Sequence, residues 1–422
     1  MTLPHRTARE ALDRIPAGAL VVSAPGMGAP GSLLAELTAV APGRGWTLVS
    51  GLLMDYPFLP LVEEGTLGYR TWHVMAPVRD LVADGRAGFV PARASRLAAL
   101  LERWQVDAAL VRVTPPDERG RCSLGPSVSY GMAAVASARI VIAEVDPTLP
   151  RTHGDSSVHV SCFDSLVETA SAVPEYRSAK PNPTSTAIAE RVLDLLPAEP
   201  TLQIGIGAIP ETLVRSLPSR DLGSVRFVGM ATDEMVDLFE TGLLRRNAVV
   251  PRPAILSPDM MGTARLLAFS HDNPSVGMYP SAVSHDPAYL AGAYDRFVSV
   301  NTAIEIDLEG NVNSETVNGK QISGAGGSLD YVDTASRSRG GLRVIALPAS
   351  SADARVTRIV PKVATVTVPR TMVDVVVTEH GVARLDGLTT LERTEALVAL
   401  AHPDHRDALR AAAEETPAGA TA

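Results

Sequence analysis

Two glycine-rich turns and one acid–imidazole pair at a strand end are the stretches of this chain best suited to chemistry. Gly205-Ile206-Gly207-Ala208-Ile209-Pro210 follows the apolar run Leu202–Ile204 and leads into a helix, with Pro210 at the first helical position, where its missing N–H costs nothing. Glycine there lets the backbone approach a ligand, and a helix N-terminus offers N–H groups to an anion; a plain tight turn would use the same residues. Ser323-Gly324-Ala325-Gly326-Gly327-Ser328-Leu329-Asp330 places three glycines within four residues. That suits amides turned toward an oxyanion, or a backbone passing very near a ligand. Glu379 and His380 close the apolar run Val375–Thr378. A carboxylate and an imidazole at the end of a parallel strand are placed for acid–base work near neutral pH, with a surface histidine as the competing reading. Residues 300–315 alternate apolar and polar types, which predicts strand, turn at Glu309-Gly310-Asn311, and strand. Asn301, Glu305, Asp307, Asn311, Asn313 and Glu315 then fall on the solvent face. There is no Gly-x-Ser-x-Gly, no zinc-type His/Glu pair and no dinucleotide fingerprint, and no metal is expected.

Four further blocks surround these turns: VTPPDERGRCSLGPSVSY (113–130), IVIAEVDPTLPRTHGDS (140–156), VNTAIEIDLEGNVNSETVNGKQISGAGGSLDY (300–331) and VVVTEHGVARLDG (375–387). With the stretch 201–242, and in this order, they resemble the acetyl-CoA hydrolase/transferase family, in particular its 4-hydroxybutyrate CoA-transferases. The resemblance covers nearly the whole chain. It implies acyl-CoA as substrate, a small-molecule acceptor and a homodimer.

In that family the stretch reads roughly His-Ser/Thr-Glu-Met-x-x-Asp-Gly and closes on Ala-Gly, and its Glu carries CoA as a glutamyl thioester. Laid on without gaps, the family's Met falls on Met230, its Asp on Asp233 and its closing Gly on Gly242. The nucleophile then falls on Gly229, which has no carboxylate. A five-residue shift would bring Glu234-Met235 onto the Glu-Met pair, at the expense of a deletion before Gly242. The resemblance also implies that Gly326 and Gly327 polarise the thioester oxygen. Gly205, Gly207, Ala208, Ile209, Gly229, Met230, Gly324 and Asp330 would line the CoA cleft. Glu379 matches the acid of a Glu-Tyr-Gly motif and would orient the nucleophile or acyl group. His380 replaces that Tyr, His73 stands where relatives carry an apolar or aromatic residue, and His285 where they carry Asn. Three histidines outside the pattern, in a chain of nine, are candidate acid/base groups, each against a structural alternative.

The elements that must position these residues alternate along the chain. Apolar runs at Ala19–Val22, Trp46–Val49, Ala108–Val113, Ile140–Val145, Gln203–Ile206, Val225–Val228, Val298–Asn301, Arg343–Leu347 and Val373–Val377 read as strands. Amphipathic segments such as Ser95–Trp104, Ser185–Leu196, Glu211–Leu217 and Leu391–Ala401 read as helices. The alternation predicts an α/β fold with parallel sheets covered by helices. The Pro/Ser-rich, aperiodic stretch Val173–Thr184 predicts a linker, and hence two similar open α/β domains of the CoA-transferase type, 1–178 and 185–422, with the active site between them. Each half opens on a strand and a glycine-containing turn, APGMGAP and GIGAIP, which hints at duplication. Glu414–Ala422 reads as a mobile polar tail.

Composition bounds the partners. At 45% apolar and 20% charged, the chain has the make-up of an ordinary globular protein. A net charge of −9 argues against nucleic acid or an anionic membrane as partner. Cys122 and Cys162 have no metal-type spacing and are expected to be small buried hydrophobes in a reducing compartment. Residues 1–17 are polar and no run of 18 apolar residues occurs, so neither export nor membrane spanning is expected and the chain reads as cytoplasmic.

With Gly229 in the nucleophile's place, the expected function is acyl transfer straight from CoA to a small acceptor. The alternatives are an ordinary CoA-transferase using Glu234, an acyl-CoA hydrolase, and a non-catalytic CoA-binding protein.

Overall fold

A computed structural model describes residues 5–244 and 252–415; the expected tail lies outside them from residue 416 onward. The chain builds two large sheets with helices between strands. The first has seven strands in the order Ser165–Glu168, Ile140–Val145, Ala108–Val113, Leu20–Ser23, Thr47–Ser50, Gly68–Thr71, Gly88–Phe89. All neighbours run parallel. The second has nine, in the order Gly381–Arg384, Val375–Thr378, Leu342–Ala346, Phe297–Thr302, Thr201–Ile204, Arg226–Gly229, Ile255–Ser257, Val276–Met278, His153–Gly154. Only the Gly381–Arg384 strand runs antiparallel to its neighbour. Strands covered on both faces need apolar residues throughout rather than alternation, and Ala108–Val113 is buried at all six positions.

Helix starts follow the local chemistry. Asn182 caps the helix Pro183–Leu193 in a reciprocal box with Ser185, and Ile188, Ala189 and Val192 face the core. The preceding stretch is pinned to the second half: the Tyr176 amide donates to the Gly262 carbonyl at 2.9 Å. The Tyr176 hydroxyl and the Ala179 amide donate to the Glu211 carboxylate at 2.8 and 2.6 Å. One strand crosses over before that stretch begins. His153–Gly154 leaves the first half's chain and pairs with Val276–Met278 at the far edge of the second sheet.

Three local expectations are corrected. Pro210 is the third helical residue, because the helix opens at Ala208 with Gly207 as its cap, at φ +110°. The hairpin residues do not face solvent: Asn301, Asp307, Asn313 and Glu315 are buried. Their polar groups are satisfied by close partners instead. Asp307 Oδ1 accepts the Asn311 amide at 2.8 Å, and Glu315 Oε1 accepts the Thr367 hydroxyl at 2.9 Å. Of the cysteines, Cys122 is buried but Cys162 is exposed.

The order of strands fixes where a site can form. In the second sheet the chain leaves Thr201–Ile204 toward one edge and returns on its other side at Phe297–Thr302; in the first sheet Leu20–Ser23 is flanked the same way by Thr47–Ser50 and Ala108–Val113. Such reversals open a crevice beyond the carboxyl ends of the strands. No helix among the described residues is long and apolar enough to cross a membrane.

Candidate active site between the two sheets

Both crevices open onto one cavity of about 240 Å³. From the first half it is lined by Pro25, Leu52, Trp72, His73 and Tyr130, and from the second by Gln203, Gly205, Met230, Asp259, His285 and Tyr331, among others. Most of these follow directly on strand ends. Its walls are mainly apolar, yet several buried polar atoms of its lining residues have no hydrogen-bond partner: Trp72 Nε1, His73 Nδ1, Asp259 Oδ1 and the Tyr331 hydroxyl. Buried polar atoms are normally paired, so a set of orphans around one cavity marks a place for a polar ligand. Tyr130 differs, because its hydroxyl is fully engaged, accepting from the Gly51 amide and donating to the Ser23 carbonyl, both at 2.9 Å. Gln203 and Asn301 pair their amides across adjacent strands at 3.2 Å.

Two of the histidines singled out in the sequence meet here. His285 lies against Tyr331, ring centroids 4.6 Å apart. Burial, reinforced by nearby His73, keeps the His285 imidazole neutral down to about 3, and burial brings His73 down to about 4. The Ser284 hydroxyl lies 3.1 Å from the Pro280 carbonyl and 3.0 Å from His285 Nδ1; with its hydrogen on the carbonyl, Nδ1 carries the imidazole proton. Nε2 then presents a lone pair. Neutral imidazoles in an apolar pocket can take or pass on a proton during a reaction without repelling a cationic ligand.

The glycine loop sits between those two rings. A Cβ added at Gly327 would lie 2.4 Å from His285 Nε2, and one at Gly326 would lie 3.2 Å from His73 Nε2. Gly327 has an ordinary φ of −95°, so its need for glycine is close approach, whereas Gly326 is left-handed at φ +55°. Gly324 meets the first half: a Cβ there would be 2.1 Å from the Trp72 carbonyl oxygen. Asp330 does the same work with its side chain, accepting from Arg93 Nε and the Ser95 hydroxyl, both at 2.7 Å. Its carboxylate is therefore committed to joining the two halves rather than open to CoA.

The other expected residues divide. Gly205 and Met230 line the cavity. Ile209 packs into the core, and Ala208 begins the helix, its carbonyl accepting from the Thr212 hydroxyl. The Gly207 amide donates to Glu211 Oε1 at 3.0 Å, so an acid of the chain itself takes up one N–H at the helix N-terminus expected to receive an anion. Gly229 closes its strand at φ +114°, and a side chain there would start 3.5 Å from Gln203 Cγ and 3.7 Å from the Tyr331 hydroxyl. Glu234 is buried on the next helix and turned away from the cavity lining, 2.6 Å from Arg215 Nη2. Glu379 and His380 stand apart. Glu379 Oε2 accepts the Ala349 amide at 2.9 Å, and His380 faces Glu379 at 3.8 Å and the His402 ring at 5.5 Å. Burial first, with His402 assisting, lowers the His380 pKa against the pull of Glu379.

Comparison with known proteins decides the lineage. Residues 64–174 match the acetyl-CoA hydrolase/transferase N-terminal domain and residues 262–413 its C-terminal domain. The 4-hydroxybutyrate coenzyme A transferase of Clostridium kluyveri is 34% identical across 96% of this chain and 95% of its own. The chain belongs to the acetyl-CoA hydrolase/transferase family. It is an enzyme acting on acyl-CoA. Among solved structures, RipA from Yersinia pestis superposes with a TM-score of 0.89 at 29% identity, covering 97% of both chains. The 4-hydroxybutyrate CoA-transferase from Porphyromonas gingivalis does so with a TM-score of 0.79 at 27% identity, again over 97% of both. The acetyl-CoA hydrolase of Yarrowia lipolytica is 24% identical over 80% of this chain and 73% of its own.

Within this family fold, sequence reasoning overlooked Asp259, Trp72 and Tyr331. Asp259 carried a usable signal, an acid just past the apolar strand Ile255–Ser257, where α/β sites assemble. Trp72 and Tyr331 read as ordinary core residues, and both are indeed buried.

Proposed function

We propose that this family member moves an acyl group directly from CoA to a small acceptor, with no CoA held covalently on the protein. The reading rests on one observation: the strand end facing Gln203 and Tyr331 carries Gly229 and offers no carboxylate there. The acyl thioester would enter between the halves 1–178 and 185–422 with its carbonyl at the Gly326–Gly327 loop. A neutral imidazole, His285 with His73, would then handle the acceptor's proton. Two solvent-shielded histidines suit that role better than they suit anion binding. With water as acceptor, the same geometry would give a hydrolase.

Incubation with acyl-CoA should leave the intact mass of the protein unchanged, and borohydride should not inactivate it, because no glutamyl thioester forms. A CoA-sized mass increment, or borohydride inactivation dependent on acyl-CoA, would overturn the proposal.

Ordinary CoA transfer through Glu234 finds less support, since one oxygen of that carboxylate is held by Arg215 and the residue lies outside the cavity lining. Glu234→Gln should keep at least half of the turnover while lowering thermal stability, because it weakens a part-buried ion pair, worth roughly 1–3 kcal/mol. Complete loss of turnover in a folded Glu234→Gln protein would restore Glu234 as nucleophile.

A further inference from the structure

The charge balance of the cavity points to the acceptor. Among the described residues no lysine or arginine lines it, and its two imidazoles are held neutral by burial. Nothing there neutralises an incoming carboxylate. The group able to carry a full charge is Asp259, whose Oδ1 is buried and without a partner. Burial pushes the Asp259 carboxyl up to about 7 against the pull of the Ser129 and Ser127 hydroxyls, with no cation holding it down. The residue is fixed in place by its backbone. The Pro258 carbonyl accepts from the Val128 and Ser129 amides at 2.8 and 3.1 Å, and the Met260 amide donates to Pro126 at 2.8 Å. A buried carboxyl with one oxygen unpartnered and no counter-ion costs several kcal/mol unless a ligand satisfies it. The natural complement is an ammonium group, and a second anion would be repelled.

Building on the direct-transfer reading, we propose that the acceptor is a small primary amine, bound as its ammonium by Asp259 and acylated to an amide. In a dry cavity the ion pair relaxes by moving one ammonium proton to Asp259 Oδ1, because the neutral pair is favoured where charge is poorly solvated. The freed nitrogen lone pair attacks the thioester carbonyl, the C–N bond forms, and the C–S bond breaks as the tetrahedral adduct collapses. The second proton lost by nitrogen passes through an imidazole to the departing thiolate. Ammonium and acyl-CoA thus give amide, CoA thiol and one proton, which Asp259 returns to solvent. Trp72 Nε1 and the Tyr331 hydroxyl are free donors for oxygen atoms of the ligands.

The test offers the enzyme acetyl-CoA and butyryl-CoA with ethylamine, ethanol or propionate at equal concentration, reading thiol release and product mass. The amide should form at least a hundredfold faster than the ester. Asp259→Asn should raise the KM for ethylamine about a hundredfold while the Kd for free CoA stays unchanged. Binding alone gives a second readout. Ethylammonium should raise the melting temperature of the unmodified protein, ethanol and propionate should not, and Asp259→Asn should abolish the rise. Ester without amide overturns the amine assignment and leaves direct transfer standing. CoA exchange between carboxylates overturns both. An Asp259→Asn protein with unchanged amine KM, or no amine-dependent rise in melting temperature, also overturns the proposal.

Discussion

Gly327→Val should lower kcat/KM by at least about a thousandfold in a protein that still folds. The added Cβ would lie 2.3 Å from His285 Cδ2 and 3.0 Å from Tyr331 Cε2, so the imidazole must swing away or the loop must lift. Either movement displaces the proposed proton carrier or the amide proposed to face the thioester oxygen. Loss of one such donor commonly costs a factor of ~100–1000, and misplacing a base adds to it. Backbone strain is not the cause, since φ at Gly327 is −95°. Gly326→Ala makes the contrast: it is strained at φ +55°, by about 1 kcal/mol, but its Cβ only touches His73 at 3.2 Å. Its expected loss is smaller, roughly tenfold. Steady-state thiol release, with circular dichroism to confirm folding, decides the matter. Full activity and unchanged KM in Gly327→Val would remove the loop from the mechanism.

Stability should fall on mild acidification, by about 3 kcal/mol between pH 6.5 and 4. The two buried imidazoles have folded pKa values of about 4 and 3, below 6.5 for the unfolded chain. The unfolded state therefore takes up their protons first, and each loses its contribution as pH drops through that window. Asp259 works in the opposite sense. Its folded pKa of about 7 lies above the ordinary 3.8, so the folded state binds that proton first and gains stability as pH falls from 7 to 4. Two losses against one gain leave one group's worth, at roughly 1.4 kcal/mol per pH step. Asp259→Asn removes the gain and should about double the loss; His285→Asn removes one loss and should nearly flatten the profile. Urea midpoints at pH 7 and pH 4.5 read both effects. A midpoint as high or higher at pH 4.5 in the unmodified protein would show that at least one imidazole is not held neutral.

Much of the fold could be read from local signals, because parallel strands buried on both faces announce themselves as unbroken apolar runs. Ala108–Val113 and Ile140–Val145 occur at the residues expected, and the other expected strands lie within two residues of theirs. The site was less legible wherever burial depends on the other half of the chain. Asn301, Asp307 and Asn313 alternate like solvent-facing residues, but packing from 365–370 and neighbouring strands encloses them, and side-chain hydrogen bonds make the enclosure tolerable. His73 and His285 lie 212 positions apart in the chain, and their meeting is set only by how the two sheets face each other. The GIGAIP turn was right as a turn, and one of the amides expected to meet an anion is taken by the chain itself. Glu211, one helical turn along, accepts from the Gly207 amide there.

The crossing strand His153–Gly154 limits how this architecture can be inherited. Its Gly154 packs so closely that a Cβ would lie 2.3 Å from the Met278 carbonyl oxygen, at φ +97°, so the junction admits glycine and little else. A gene split in the stretch 173–184 would encode a second product whose sheet ends at Val276–Met278 with an open, unpaired edge, prone to recruit any available strand. The first product would carry a short strand with nothing to pair to. Recombination that exchanges halves between relatives must therefore bring matching residues at 153–154 and 276–278 together, or yield a chain that aggregates before its cavity can close.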